Sequence, residues 1–332
     1  MGIIMGDDRR RRRLRRYHRP LLAGSFALCV LIGCFSNKLG KVAVIPRTSG
    51  TMLWEPEHGG AEAAGRKDDL WVYWNAPTRE DDTAAQIALV ERVTHGNYQG
   101  LVLAPDQALA LMTPVRRAVE RGVCTVIVGS PLSIPASDRL SYILNDDEEG
   151  GRMAARRVAL LLHGKGSVGV IGINPNISGI MIRARSFESY LAENYPDIHI
   201  VEKRMGSFNV PHEQQVAEEM LRSNENLDVI VALMWPSVRG AISTIENEPG
   251  KLSTKVIGFD PDALPFEANS LDSVIVQNTR EMGYQAVDMI AARLHGTPMP
   301  PLVKLGPVLV TRENVNSKEV GNLTSMDWSK SP

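Results

Sequence analysis

VIGFDPD, residues 256–262, sets a short apolar run against a glycine, a phenylalanine and a carboxylate. Val256 and Ile257 read as the end of a buried strand, because a strand covered on both faces shows continuous apolar residues rather than alternation. A carboxylate just beyond such a strand faces solvent, caps the next helix, or points into a ligand cleft. The choice turns on what flanks it.

The same pattern recurs along the chain. KVAVIP (41–46), LWVYWN (70–75), GLVLAP (100–105) and CTVIVG (124–129) are apolar runs of strand length. Helix-like segments separate them: residues 82–95 place Ala85, Ile87, Ala88, Val90 and Val93 at helical spacing. After SYILN (141–145) the pattern restarts with DDEEGGRMAARRVALLLH, where Asn145 and Glu148 are spaced like a capping box. SVGVIGI (167–173), IHIVEKRM (198–205), LDVIVALM (227–234), KVIGFD (255–260) and SVIVQN (273–278) follow, with helices between them, including a short one after residue 260. A helix over 280–295, free to pack on either half, and an edge strand around 302–311 end the ordered pattern; residues 316–332 read as a loose polar tail. Strands joined by helices predict the α/β class, with parallel sheets in two Rossmann-like lobes split near residue 145.

The 332 residues are 43% hydrophobic and 23% charged, enough for one large or two medium domains. The net charge of −1 conceals an asymmetry. Residues 1–33 hold eight arginines and two aspartates, which leaves 29 basic and 36 acidic residues for the remainder. A body near −7 argues against a nucleic-acid partner.

The arginines precede PLLAGSFALCVLIG, residues 20–33, an apolar stretch of 14. That is short for a membrane span, which needs about 20 residues, and suits a secretory signal. Leu31, Ile32, Gly33 and Cys34 resemble the bacterial lipobox, so residues 1–33 are expected to be a cleaved signal peptide and Cys34 a lipidated first residue. An uncleaved signal anchor is the alternative. Both place the body outside the cytoplasmic membrane, with the arginines inside. Cys29 would leave with the signal and Cys34 would carry lipid, so Cys124 would stand alone as a buried strand thiol.

Recognisable catalytic chemistry is missing. No H-E-x-x-H or C-x-x-C occurs, HGKGS (163–167) lacks the first glycine of a phosphate loop, and GINPNISG (172–179) is not a dinucleotide fingerprint. An enzyme is therefore the weaker reading.

The chain from Lys41 to about Val315 resembles the type I periplasmic solute-binding proteins, especially their ribose-binding-like sugar branch, whose fold LacI-type effector domains share. The resemblance rests on an ordered series: the opening strand with its aromatic loop, NDDEEGGRMAA, RSFESYLAE on a helix, VIGFD, and SVIVQN followed by a glycine-containing helix. It implies two lobes joined by a three-segment hinge, with crossings near Asn145, Gln277 and residue 306. The first lobe would comprise 41–144 plus about 278–306, the second 145–277 plus about 307–315. It implies no cofactor, a sugar-like ligand, an ABC permease as membrane partner, and a monomer that closes on its ligand.

The resemblance places Leu53 and Trp54 where the family sets aromatic rings against the sugar, although Trp54 also reads as a surface-packed ring. Phe208 falls at a second-lobe aromatic position or serves as a helix-entry staple. Asp260 and Gln277 match the ligand-binding carboxylate and amide; Asp260 also reads as an N-cap. Asp147 and Trp235 join this set. The departures are Gly129 and Ser130 for an aspartate and a basic residue, Met181 for a clamping arginine, and Met234 for an asparagine. Arg183 and Arg185 read as solvated helix residues. Such replacements imply a ligand less hydroxylated than ribose or an altered site. A sensory module touching a membrane receptor is the rival reading; a LacI-type regulator would need a helix-turn-helix ahead of the core, which residues 1–40 do not supply.

Overall fold

The runs of valine, isoleucine and leucine form two six-stranded sheets in the computed structural model, which describes residues 40–247, 253–260, 264–327 and 329. The expected signal segment and Cys34 lie outside the described residues. The chain begins with β1 (Gly40–Ile45), α1 (Glu55–Lys67), β2 (Leu70–Trp74), α2 (Thr83–His95), β3 (Gly100–Leu103), α3 (Ala108–Glu120), β4 (Cys124–Gly129) and β5 (Leu140–Asn145). It continues with α4 (Asp147–Leu161), β6 (Gly166–Ile173), α5 (Ser178–Asn194), β7 (Ile198–Met205), α6 (Val210–Ser223), β8 (Val229–Ala232), α7 (Trp235–Asn247) and β9 (Lys255–Phe259). Then come β10 (Leu271–Val276), α8 (Thr279–Leu294), β11 (Leu302–Leu305), β12 (Val308–Thr311) and α9 (Lys318–Leu323).

The first sheet runs β11-β5-β4-β3-β1-β2 and is wholly parallel. The second runs β12-β10-β9-β8-β6-β7, with only β12 antiparallel. Side-chain alternation divides each strand between two cores. Val42 and Val44 pack toward α1 and α8, whereas Ala43 and Ile45 pack toward α2 and α3. Both faces are covered, which is why these strands read as unbroken apolar runs. Cys124 belongs to this buried set.

The chain passes between the sheets after Asn145, after Val276 and between Leu305 and Val308. Although α8 follows a strand of the second sheet, its Met282, Ala286, Val287 and Ile290 are buried in the first-sheet core. Glycines let α8 meet α1 closely. A Cβ on Gly60 would lie 1.9 Å from the Arg280 carbonyl oxygen, and one on Gly283 would lie 2.1 Å from that of Glu57.

Four expectations need correction. The edge strand expected around 302–311 is two four-residue strands, one on the rim of each sheet. Gly306 and Pro307 break it, since proline offers no N–H to a ladder. The cap of α4 is Asp146, whose carboxylate accepts from Glu149 N at 3.0 Å, rather than Asn145, which still pairs in β5 with Leu305. No helix follows Asp260 within the described residues 264–270, which form turns; residues 261–263 lie outside the description.

Residues 317–327 of the tail are not loose. Ser317 caps α9 by accepting from Val320 N at 3.2 Å, and Val320 and Leu323, three residues apart on one face, bury in the second-lobe core. Arg280 then donates to the carbonyls of Ser325 at 2.8 Å and Asp327 at 2.9 Å. Deleting residues 318–332 is expected to cost roughly 3 kcal/mol from the lost burial of two aliphatic side chains. A urea melt reads this directly, and an unmoved midpoint would show that the tail contributes no stability.

Candidate functional site

Parallel strands present their carboxyl ends along one edge, and both sheets turn that edge toward the same cavity. Glu80 arrives from the loop after β2, Arg47 from the loop after β1, and Gly129 and Ser130 from the end of β4. Met234 and Trp235 follow β8, Asp260 follows β9, Gln277 follows β10, and Asn145 ends β5.

The floor is a continuous polar chain centred on Arg183. Its Nε donates to Asp147 Oδ1 at 2.6 Å and its Nη1 to Asp260 Oδ2 at 2.6 Å, with a longer contact to the Leu233 carbonyl at 3.4 Å. The guanidinium lies over the Phe259 ring, 4.9 Å from its centre. Gln277 donates to Asp260 twice, from its backbone N at 3.0 Å and from its side-chain amide. Asn145 Nδ2 donates to Gln277 Oε1, so the two crossing segments after β5 and β10 are tied together. Asp260 holds this position with a left-handed backbone, φ 47°, which aspartate tolerates better than most residues.

Burial by itself would lower the Arg183 pKa, but Asp260 and Asp147 outweigh it and raise it above its ordinary value. Burial pushes the Asp147 carboxyl up, against the opposing pull of Arg183.

The opposite wall rests on Trp54, which is 2% exposed at the start of α1. Its Nε1 donates to Glu80 Oε1 at 3.1 Å, and the Arg47 guanidinium sits 5.8 Å from its ring centre. Arg47 donates to the Pro105 carbonyl at 3.1 Å and to Ser130 Oγ at 2.9 Å. Burial raises the Glu80 carboxyl, against Arg47 and the Trp54 N–H. Trp235 lies near enough to lower it further, yet its Nε1 makes no hydrogen bond of ordinary geometry. Two indoles from opposite lobes therefore flank one buried carboxylate.

Leu53, Trp54, Asp147, Phe208, Met234, Trp235, Asp260 and Gln277 all line this cavity; Met181 does not. Cleft-lining positions on α5 are Gly179, Ile180 and Arg183, of which Ile180 and Arg183 lie three residues apart on one helical face, and Met181 is not among them. Arg183, expected to be solvated, is 5% exposed and paired to two carboxylates. Arg47 and Glu80 escaped the sequence reading. Charged loop residues look solvated, and only the strand-end position of IPRTSG hinted at Arg47. Among the described residues no cluster of histidine, cysteine, aspartate and glutamate is placed to hold a metal ion, and no helix is long and apolar enough to cross a membrane.

Two α/β lobes around a cleft lined from both sides define a two-lobed binding protein. Residues 42–298 match the family described as periplasmic binding protein domain, and the chain belongs to that family, whose members bind substrates rather than transform them. The chain is 23% identical to the D-ribose/D-allose-binding protein of Pseudomonas aeruginosa over 66% of its own length and 70% of that protein's. It is also 23% identical to the D-allose-binding periplasmic protein of Escherichia coli, over 78% and 86%. Among solved structures, an ABC transporter solute-binding protein from Agrobacterium vitis bound with alpha-D-tagatopyranose superposes with a TM-score of 0.78 at 23% identity, covering 86% of this chain and 98% of that one. A sugar-binding protein of a Bacillus halodurans sugar ABC transporter gives 0.76 at 25% identity, covering 83% and 99%. The two-lobed α/β fold expected from the sequence is the fold these proteins share.

Proposed function

We propose that the protein captures a small sugar-like ligand between its lobes and delivers it to an ABC-type permease, working as a monomer outside the cytoplasmic membrane and held there by lipid on Cys34. The observation that carries this is the cleft itself. It sets an indole surface, Trp54, across from a hydrogen-bonding floor of Asp260, Gln277, Asn145 and Arg183, at the carboxyl edge of both sheets. An indole face suits the C–H face of a sugar ring, and charged or amide groups suit its hydroxyls. The relatives that bind ribose or allose, and the neighbour holding a tagatopyranose, support the same ligand chemistry. The n-region, apolar stretch and LIGC sequence support export and lipidation.

A thermal-shift screen of the full-length protein against pentoses, hexoses, polyols and their simple derivatives tests this. A ligand that binds only the folded state stabilises it by roughly 2.7 kcal/mol at a hundredfold excess over its dissociation constant. Trp54→Ala is expected to weaken any hit at least about tenfold, since a buried aromatic face is lost. A panel without a single shift would overturn the sugar reading. Mass spectrometry of the mature N-terminus, expected to begin at a diacylated Cys34, tests the anchor separately.

A further inference from the structure

Resting on the sugar-binding reading above, we infer that the cleft selects a ring ligand short of hydroxyls on one face, a deoxy or O-alkylated sugar, over the fully hydroxylated parent. Three observations converge on this. First, much of the polar floor is already engaged in bonds to itself. Asp260 accepts from Arg183 and twice from Gln277, Arg183 also reaches Asp147, and the Gln277 carbonyl receives Asn145. Among the cavity-lining side chains, the buried polar atoms left without a hydrogen-bond partner are one acceptor, Asn145 Oδ1, and one donor, Trp235 Nε1. Each further hydroxyl that the cleft buries unpaired costs roughly ten- to a hundredfold in affinity.

Second, the second-lobe wall is apolar and fixed in place. Ile177, Ile180 and Met234 are each at most 5% exposed and line the cavity with Phe208. Met234 lies against two glycines. A Cβ on Gly206 would come within 2.5 Å of its Cε, and one on Gly172 within 3.1 Å of its Cγ. The absence of those side chains makes the room in which the thioether packs, so the apolar surface at this point is built by three residues together.

Third, the cleft is open where the first lobe carries Gly129. A Cβ there would meet nothing within 4 Å, which leaves space for a methyl or alkoxy substituent beside Ser130, whose Oγ already accepts from Arg47.

Matched ligand pairs test the inference with the full-length protein: D-galactose against its 6-deoxy form, D-ribose against 2-deoxy- and 5-deoxy-D-ribose, and D-glucose against its 3-O-methyl and 1-O-methyl forms, by titration calorimetry. The expected result is that, in at least one pair, the less hydroxylated member binds at least tenfold tighter. Met234→Gln, which keeps side-chain length but adds an amide, is expected to narrow that gap at least threefold by favouring the parent. Ile180→Thr is expected to move it the same way, and a melting curve for each variant separates lost selectivity from lost folding. A parent sugar that binds as well as or better than its derivative in every pair overturns the inference and leaves the sugar reading standing. An unchanged gap in both folded variants also overturns it. Silence across the whole panel overturns both.

Discussion

Replacing Arg183 with methionine is expected to cost about 3–5 kcal/mol of folding stability near neutral pH, because it strands buried charge rather than merely deleting a contact. Asp147 and Asp260 are 7% and 4% exposed, and Arg183 is the cation that donates to both. Without it Asp147 keeps its burial and its neighbouring carboxylate with only Arg47 left to oppose them, and its pKa rises further. A carboxyl whose folded pKa lies above its unfolded one adds stability below the unfolded pKa and loses it as pH rises through the folded pKa. The deficit of the variant should therefore shrink as pH falls, since a protonated Asp147 no longer needs the guanidinium. Urea denaturation at about pH 7.5 and about pH 4.5 reads this. A deficit of equal size at both values would mean that solvent reaches the pair. Arg183→Lys should fall in between, because an ammonium keeps the charge but cannot fork to two carboxylates.

Stability of the natural protein should itself fall as pH rises from about 4.5 to about 8, and Glu57 is the reason. This residue is fully buried in α1, neither of its carboxyl oxygens has a hydrogen-bond partner, and α8 closes over it through Gly283. Burial pushes its carboxyl up from 4.5 to about 8, with Arg47 opposing. Across that window the unfolded chain has released the proton and the folded chain still holds it. Stability then declines by up to about 1.4 kcal/mol per pH unit from this group. Glu57→Met keeps the volume and removes the titration, so the variant should lose that slope and be the more stable of the two near pH 8. A denaturation series over the window decides the matter; parallel curves for the two proteins would show that Glu57 ionises without cost.

Both expected effects concern residues whose importance was hidden in the sequence. Arg183 stands in IRARSF, where two arginines on a helix look like a solvated face. On a helix, two positions differ by about 200°, so a shift of two residues in matching a site moves a side chain from the cleft to the opposite side. Arg183 accordingly lines the cavity and Met181, two residues before it, does not. Glu57 lies in EPEHGGAEAAGRK, a segment with little apolar patterning, whose burial follows from helix-to-helix approach over glycines. Glu80 sits among TREDD, indistinguishable from a surface loop until Trp54 and Trp235 come to either side of it.

The α/β class, the parallel sheets, the restart after residue 145 and the edge on which a site would lie were all legible in the order of residues. These follow from local chemistry: apolar runs of strand length, helical spacing between them, and polar residues just past strand ends. Asp260 and Gln277 sit at such ends, whereas Trp54, reached only through the family resemblance, opens α1. The tertiary structure alone decided which sheet received α8, where the 302–311 segment divided, how the tail docked, and which charges were buried together. Those outcomes depend on which surfaces meet across long chain separations. A side chain is charged and solvated, or charged and buried against a partner, according to neighbours that the local sequence does not contain.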